Sequence, residues 1–458
     1  MTDRFDLAVH GGTVVTARGR ARANVHVRGG RVVHVGDERH DADRTVDASG
    51  LLVLPGMVDT HVHLMDPGDP MREDFPTGTA AAAARGVTTI VEHTHAHPVR
   101  TVEELDAKRA HLRGRSRVDY GLAAHVWPDR IGELAALWRA GITYFKAFTC
   151  TTHGVPGLTP ADLRAAMTAL ASFGGVCLVH GEDESITAAA ERDLRAEGWR
   201  DGSLLPRWRS REAELVAVQT VCLLARLTGA RVNVAHVSDP HVAEVVRRAR
   251  LDGADVVAEA CPQYFLLRED EVIEHGALRK FTPPARARSD ADQAEMWRLL
   301  RTGVFHHLST DHAPATREQK ESGGFWDVHF GLPGLDTTLP LMLDAAAAGL
   351  LSVEDVVRVY AEAPAKRYGL HPRKGSLQPG GDADLALVDP EASWTLSDDV
   401  VISRAGWTPY AGRTVRGRVV ATYLRGDLVA EDGRPTEELP GRFLPGQGHT
   451  EVSDDGDR

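Results

Sequence analysis

Apolar and polar residues follow two different patterns along the chain. Near the N-terminus, short apolar stretches are separated by glycine-containing turns, which predicts strands over residues 6–9, 13–15, 24–27 and 31–35. A similar texture returns over residues 374–388 and 417–426. We therefore expect a small β-sandwich domain assembled from both chain ends, residues 1–54 and 371–440.

The central part of the chain alternates apolar runs with segments of helical periodicity. The apolar runs end near residues 64, 94, 126, 149, 182, 238, 264 and 311. The clearest helical patterns cover residues 160–173, 212–228, 241–251 and 291–301. Strands that alternate with helices in this way predict a (β/α)8 TIM barrel over residues 55–370 rather than an open sheet. Helices over residues 344–368 would close the barrel, and the polar residues 441–458 would form a mobile tail.

The composition is typical of a soluble globular protein, with 42% hydrophobic and 26% charged residues in a chain of 458. A barrel takes about 250 residues, so there is room for a second unit. The formal net charge of −12 comes with no basic tract, which argues against binding to nucleic acid or to an acidic membrane surface. We find no signal-peptide pattern and no apolar run near the ~20 residues that span a bilayer, so we expect a cytoplasmic protein.

Four cysteines are spread over the chain: Cys150, Cys177, Cys222 and Cys261. None of them forms a Cys-x-x-Cys pair, so we do not expect a cysteine-based zinc site. Four cysteines in a chain this long do not make a disulfide framework either. We interpret them as buried, reduced thiols.

Histidines mark the first apolar run, where His61 and His63 stand two residues apart. On a strand, such residues point to the same side, so two imidazoles can reach one metal ion. Alone, this pair is weak evidence, because a histidine at a strand end commonly bonds to the backbone. The same place in the pattern recurs, however, at His180, His236 and Asp311 on the fifth, sixth and eighth runs.

Lys146 occupies the corresponding place on the fourth run. Each of these residues has an ordinary alternative, since a lysine can extend to solvent and an aspartate can cap a helix. Together they fall at or near the carboxyl ends of five strands, where TIM barrels place their chemistry. We therefore predict a metal site there, although the pattern does not divide the ligands between metal ions. Imidazole and oxygen donors suit Zn2+, and also Mn2+ or Co2+.

An ammonium group cannot bind a metal ion, so Lys146 needs a further step. A buried lysine close to cations has a lowered pKa and can lose its proton. The neutral amine can then react with CO2 to give a carbamate, an anion whose two oxygens can bridge two metal ions as a glutamate would.

Residues 55–63, PGMVDTHVH, resemble the metal-binding motif of the amidohydrolase superfamily. Within it, the chain is similar to the cyclic amidohydrolases, the group of allantoinase, hydantoinase (dihydropyrimidinase) and dihydroorotase. Matching segments cover nearly the whole chain, at residues 78–89, 145–148, 261–265, 282–286, 309–314 and 372–388. Residues 409–414, PYAGRT, look like allantoinase in particular.

The resemblance implies a hydrolase with two divalent metal ions per chain, most simply Zn2+, that opens the C–N bond of a ureide, lactam or imide ring. The ligands would be His61, His63 and Asp311 for one ion and His180 and His236 for the other, with N6-carboxylated Lys146 between them. Asp311 would take a proton from the attacking water and return it to the leaving nitrogen. A homotetramer or homodimer is also implied.

Candidate substrate contacts come from positions where the subgroups differ. Met65 stands where dihydroorotases usually have a carboxylate-binding arginine, and Thr151 stands where hydantoinases usually have an oxyanion-stabilising tyrosine. Phe330 precedes a GLPG loop where hydantoinases tend to have asparagine. These differences favour allantoinase over the other two.

The chain also departs from allantoinase. The usual Met-Pro-Leu-Asn after the second strand is replaced by a segment that contains His93, His95 and His97, and the usual histidine after Cys-Pro is Gln263. The three histidines could contact the substrate, bind metal, or lie on a solvated loop, and the sequence leaves these alternatives open. Two further candidate contacts at strand ends are His125 and Thr282.

Three other functions are compatible with the sequence. The nearest is a hydantoinase-type hydrolase that acts on five- or six-membered cyclic ureides. The second is a non-catalytic assembly protein, which the intact set of six ligands argues against. The third is a mononuclear deaminase on the same barrel, which would not need Lys146. The fold alone does not decide between them.

Overall fold

The structure, a computed structural model, describes residues 4–450. In chain order its strands are β1 (Phe5–Thr16), β2 (Gly19–Arg28), β3 (Arg31–Gly36), β4 (Ala42–Asp47), β5 (Leu52–Pro55), β6 (Met57–Val62), β7 (Val87–Glu92), β8 (Asp119–Leu122), β9 (Ala124–His125), β10 (Phe145–Phe148), β11 (Val176–His180), β12 (Arg231–Val234), β13 (Val256–Ala260), β14 (Phe305–Leu308), β15 (Leu385–Thr395), β16 (Thr414–Leu424), β17 (Asp427–Glu431) and β18 (Arg434–Pro435).

Helices connect most of the central strands. They are α1 (Phe75–Ala84), α2 (Val102–Leu112), α3 (Leu134–Arg139), α4 (Pro160–Phe173), α5 (Glu184–Ala196), α6 (Leu205–Trp208), α7 (Arg211–Thr228), α8 (Pro240–Leu251), α9 (Gln263–Leu266), α10 (Glu271–His275), α11 (Asp290–Arg301), α12 (Arg317–Glu321), α13 (Thr338–Ala347), α14 (Val353–Val357) and α15 (Ala363–Arg367). The pattern over residues 160–173 predicted α4 well, because strong signals bound it. The Thr159 side chain caps its first turn, and Gly174 ends it at a φ of +75°.

The central strands form a parallel barrel. Six of them pair in the order β14-β13-β12-β11-β10-β9, and three in the order β6-β7-β8. The strands β8 and β9 are separated by the single residue Ala123 and together fill the third strand position. The eighth strand position meets the first where the backbone N–H of His63 donates to the oxygen of His312 at 2.8 Å. The predicted TIM barrel is therefore confirmed.

Both chain ends contribute to one mixed sheet. Its order is β18-β17-β16-β15-β5-β1-β2-β3, with β4 beside β1. The two ends meet where β5 pairs antiparallel with β15, for example Val53 with Leu387. Apolar side chains on this sheet, such as Val25 and Leu385, form a core of their own. The predicted small β domain built from both ends is confirmed.

The N-terminal strand differs from the prediction in detail. Two strands were expected over residues 6–9 and 13–15, but β1 is one strand with an irregularity in its pairing between Val9 and Gly12. Gly11 there has a φ of +77°, and a Cβ on Gly12 would lie 2.5 Å from a methyl carbon of Val53. The Gly-Gly pair therefore forms a bulge inside a strand instead of a turn between two.

The last described residues are packed against the barrel. The N–H of Gly441 donates to the oxygen of Ser116 at 2.9 Å, and the N–H of Leu444 donates to the oxygen of Tyr120 at 2.7 Å. Leu444 is buried. Residues 441–450 thus differ from the expected mobile tail, because this segment pairs with the edge of β8 and buries an apolar side chain. The rest of that tail, residues 451–458, lies outside the described residues.

Over residues 4–450, no helix combines the length and the apolar character needed to cross a membrane. The four cysteines, Cys150, Cys177, Cys222 and Cys261, are all buried and unpaired.

Candidate metal centre

The six predicted ligands meet at the carboxyl end of the barrel. They are His61 in β6, His63 directly after it, Lys146 in β10, His180 at the end of β11, His236 just after β12 and Asp311 just after β14. The structure brings them together because parallel strands end on the same side of a barrel. Asp311 keeps 14% of its side chain exposed, whereas the other five are buried.

His61, His63 and Asp311 form one set of donor atoms. The Nε2 atoms of His61 and His63 each lie 3.2 Å from Oδ1 of Asp311. Lys146 adjoins the set, with its Nζ 3.3 Å from Nε2 of His61.

His180 and His236 form a second set. Nδ1 of His180 lies 3.0 Å from Nε2 of His236, and Nε2 of His180 lies 2.7 Å from Oε2 of Glu182. The ring centroids of His61 and His236 are 5.5 Å apart, so the two sets adjoin each other.

Acceptors behind three of the four rings decide which nitrogen of the imidazole faces the centre. Oε1 of Glu259 lies 2.7 Å from Nδ1 of His61, and the backbone oxygen of His93 lies 2.7 Å from Nδ1 of His63. Glu182 has the same position behind His180, whereas Nδ1 of His236 has no acceptor among the described residues. An acceptor there holds the N–H outward and leaves the other nitrogen free to bind, as metal-ligating imidazoles require. The donors therefore fit divalent metal ions, and this is a histidine-rich metal-binding site.

Sequence analysis did not identify Glu182 or Glu259. The available signal was a carboxylate within an apolar run, as in residues 256–260, VVAEA. Glu259 is fully buried and also lies 3.2 Å from Nε2 of His307. A buried carboxylate requires such partners, so its position in a strand indicates a role beside a site.

Two of the ligands lie in the short segments after their strands and have a strained backbone conformation. His236 has a φ of +36° and Asp311 a φ of +50°. Residues other than glycine rarely adopt this left-handed region, and such strain is concentrated at functional sites.

Burial and neighbouring charges shift the pKa values of the ligands. Burial lowers the pKa of Lys146 from 10.5 to about 8 and that of His63 to about 4. Burial alone would raise the pKa of Asp311, but His61, His63 and Lys146 outweigh it and hold that pKa below its ordinary value. The histidine is therefore neutral and Asp311 ionised at neutral pH, which are the forms that bind metal.

The ligands form the floor of a cavity of about 330 Å³, including its open mouth. Its walls add His95, Phe148, His153, Phe281, Thr282, Ala313, Phe330 and Gly331. Of the predicted substrate contacts, Thr282 and Phe330 line this cavity. The Thr282 hydroxyl also donates to Oε2 of Glu182 at 2.7 Å.

The other predicted substrate contacts do not line this cavity. Met65 is buried and its sulfur accepts a long contact, 3.9 Å, from the Thr94 hydroxyl. The Thr151 hydroxyl accepts from the N–H of Gly157 at 3.2 Å, so it is turned away. Gln263 is buried in the short helix α9, which begins where the seventh apolar run was expected to continue.

His93, His95 and His125 pack against one another beside His63. His93 is buried, with its Nδ1 2.9 Å from the Tyr144 hydroxyl, and its ring centroid lies 4.3 Å from that of His63. His95 reaches the cavity and stacks on His153 at 4.7 Å. His125 lies behind His95, with its Nε2 3.4 Å from Nδ1 of that ring.

These positions separate the alternatives for the loop after β7. His97 is exposed, as expected for a solvated loop, whereas His93 is buried against His63 and His95 lines the cavity. His93 also offers a donor atom within 4.8 Å of those of His61 and His63. His153 was not among the residues that the sequence predicted for the site. It lies in a loop, has a φ of +54° and lines the cavity.

Known proteins resemble this chain over almost its full length. An allantoinase of Rubrobacter xylanophilus is 37% identical over 449 residues, which cover 96% of this chain and 97% of that protein. An L-hydantoinase of Paenarthrobacter aurescens is 34% identical, over 96% of this chain and 98% of its own. The solved L-hydantoinase (dihydropyrimidinase) from Arthrobacter aurescens has a TM-score of 0.92 at 32% identity, over 96% of this chain and all of its own.

The family model named Amidohydrolase family matches residues 52–429, which include the whole barrel and most of the C-terminal part of the β domain, but not β1 to β4. The predicted resemblance is confirmed by this match and by the relatives. The chain therefore belongs to the amidohydrolase family and is one of its cyclic amidohydrolases.

Proposed function

We propose that this protein is a binuclear metal-dependent hydrolase that opens a cyclic ureide, and that its substrate is of the allantoin type. One observation carries the proposal: two adjoining donor sets share the floor of one cavity, with the Lys146 amine 3.3 Å from a donor of the first set. The names of the relatives support the substrate class, since both allantoinases and hydantoinases are among them. A hydantoinase-type substrate is the second candidate.

In this proposal His61, His63 and Asp311 hold one metal ion, and His180 and His236 hold the other. Zn2+ is the first choice, and Mn2+ or Co2+ also suit these donors. Divalent ions at this place would lower the pKa of a water to about 7 and polarise a carbonyl group.

Lys146 would join the two donor sets as a carbamate. Its neutral Nζ amine forms a bond to the carbon of CO2 and releases one proton, which converts a neutral group into an anion with two oxygens. The reaction needs the neutral amine, and burial that lowers the Lys146 pKa to about 8 makes this form available. An ammonium group at the same place would repel metal ions.

Asp311 would move the proton during ring opening. Its carboxylate is the ligand that retains exposure, at 14%, so it can reach both a water and a leaving nitrogen in the cavity. It is ionised before the reaction and can accept a proton from the attacking water. Returning this proton to the ring nitrogen avoids an amide anion as the leaving group.

The cavity wall supports a neutral, planar ring as substrate. Phe148, Phe281 and Phe330 provide apolar faces, and the histidines His95 and His153 provide polar edges. Met65 stands where dihydroorotases usually have a carboxylate-binding arginine, and it is buried outside the cavity, so this position supplies no cation for a substrate carboxylate. A carboxylate buried without a partner is strongly disfavoured. Dihydroorotate should therefore not be a substrate.

A substrate comparison tests the proposal. The zinc-loaded enzyme, reconstituted with bicarbonate, is assayed against allantoin, hydantoins, dihydrouracil, dihydroorotate and simple cyclic imides. We expect the highest kcat/KM for allantoin and no measurable turnover of dihydroorotate. A higher value for hydantoins would establish the second candidate, and a fully metal-loaded enzyme that opens none of these rings would refute both.

The assembly is a separate point. We propose a homotetramer or homodimer, which the family resemblance supports, and light scattering coupled to size-exclusion chromatography tests it. A monomer at micromolar concentration would contradict this.

A further inference from the structure

The β domain carries a second group of histidines, which belongs to the sheet and not to the barrel. His26 on β2 lies directly opposite His34 on β3 in the hairpin register, with ring centroids 5.6 Å apart. His10 on β1 packs at 5.5 Å from His26, and His40 packs at 4.8 Å from it. The register and the return of the chain after β3 therefore collect four imidazoles on one side of the sheet.

The loop that returns is held in place by side chains of β2. The amide nitrogen of Asn24 donates to the backbone oxygens of Asp37 and Glu38, each at 3.0 Å. The backbone N–H of His40 donates to Nε2 of His26 at 3.2 Å. The loop is thus ordered before any ligand binds, which reduces the entropy cost of binding.

Three donor groups converge where this loop meets the sheet. His34, Glu38 and His40 each offer an atom within 4.8 Å of the others, and Nε2 of His40 lies 3.2 Å from Oε2 of Glu38. The side chains of Glu38 and His40 are 73% and 41% exposed, so an ion can enter from solvent.

An unpaired nitrogen points to a missing partner. Nε2 of His34 is buried and forms no hydrogen bond with any of the described residues. A buried polar atom without a partner is costly unless a water or an ion satisfies it.

We propose that His34, Glu38 and His40 bind one transition-metal ion on the β domain, separate from the catalytic centre, and that His26 positions His40 for it. Two imidazoles and one carboxylate suit Zn2+, Ni2+ or Cu2+ and leave a coordination position for water. The ion would tie the loop after β3 to the sheet. This site does not depend on the proposed reaction.

The first test counts metal ions in the holoenzyme. We compare wild type, the double variant His34→Asn/His40→Asn, and the control His275→Asn, whose histidine is exposed at the end of α10. After dialysis against Zn2+, elemental analysis should give about one equivalent less per chain in the double variant alone, because ligand loss removes the ion. This difference is independent of how many ions the catalytic centre holds. Equal zinc in all three proteins would overturn the proposal.

A milder variant covers the case in which the double variant does not fold. Glu38→Gln changes a largely exposed side chain and keeps its shape, and Glu274→Gln is the control. Titration of the zinc-loaded holoenzymes with Cu2+ should show nitrogen-coordinated copper by electron paramagnetic resonance. We expect affinity about tenfold or more lower in Glu38→Gln than in the control. Unchanged affinity, or a spectrum without nitrogen ligands, would also overturn the proposal.

Discussion

The barrel and the β domain each gather histidines, but they hold them differently. At the barrel centre, His61 has Glu259 behind its ring and His180 has Glu182, each at 2.7 Å. In the β domain, Nδ1 of the buried His26 has no hydrogen-bond partner among the described residues, and the side chains of Glu38 and His40 are partly open to solvent. A ring with an acceptor behind it has one defined binding nitrogen, whereas a ring without one does not.

The difference indicates unequal affinity for metal. The barrel site has buried, oriented donors and a lysine that can become an anion, so its ions should resist dialysis. The β-domain site has part of its donor set in solvent and should exchange its ion freely. Four predictions test the barrel side of this contrast, beginning with the largest expected effect, and the zinc and copper measurements proposed above test the β-domain side.

Lys146→Ala should remove metal and activity together. Loss of an outer partner of a metal ligand typically costs about 10- to 100-fold, so loss of a bridging ligand should reduce kcat/KM by more than about 100-fold. Lys146→Arg should behave alike, because arginine stays charged and forms no carbamate. Acetate or propionate, but not chloride at equal ionic strength, should partly rescue Lys146→Ala. Elemental analysis and ring-opening assays measure both effects, and normal metal content with normal turnover would contradict the bridging role.

Glu259→Gln should weaken metal binding without removing a ligand. The amide keeps the shape of the side chain but lacks the charge that holds Nδ1–H of His61, so affinity at the barrel site should fall by about 10- to 100-fold. Competition with a zinc chelator measures this. Glu274→Gln, at an exposed position on α10, is the matched control. Identical zinc retention in both variants would show that the Glu259 carboxylate does not contribute to zinc affinity at the barrel site.

Carboxylation of the metal-free protein should depend on pH. Burial lowers the Lys146 pKa to about 8, and the reactive neutral amine dominates above that value. Its fraction, and with it the rate of CO2-dependent reactivation, should rise about tenfold between pH 7 and pH 9 for a pKa near 8. The rate is followed after adding Zn2+ and CO2 to apoenzyme, with the concentration of dissolved CO2 held the same at every pH. A rate that falls over this range would contradict the proposed carbamate.

The smallest effect concerns the loop after β7. His95→Asn should raise KM by about 2- to 12-fold, equivalent to one hydrogen bond to substrate, because His95 lines the cavity. His97→Asn is the control, since His97 is exposed. Its free energy of unfolding should stay within about 0.5 kcal/mol of wild type, and its KM should be unchanged. Steady-state kinetics measure the KM of both variants, and thermal unfolding measures their stability. Equal KM values would place His95 outside substrate recognition.

Sequence patterns predicted the barrel well, and they also predicted that the six candidate ligands would lie close together, because both depend on short-range periodicity. A histidine pair such as His61 and His63 is visible in the sequence, and parallel strands place all strand ends together. The six ligands remain a prediction in their roles, but their meeting point in the structure agrees with that logic.

What the sequence could not provide depends on contacts across the fold. Glu259 contacts His61 from a strand that lies 198 residues further along the chain, and no local sequence pattern links the two residues. His153 reaches the cavity through an unusual loop conformation, and Thr151 turns its hydroxyl back to its own loop. The β-domain histidines were also missed, since His26 and His34 meet only through the hairpin register.

The pairing of β5 with β15 has a consequence for synthesis on the ribosome. Val53 finds its partner Leu387 only after more than three hundred further residues have been made. The barrel strands lie between these residues in the sequence and emerge first. They can begin to pair while the edge strand β5 of the N-terminal sheet is still unpaired. An unpaired edge of this kind is an aggregation risk. We expect nascent chains stalled before β15 to bind chaperones that recognise extended apolar segments, and full-length chains to be released.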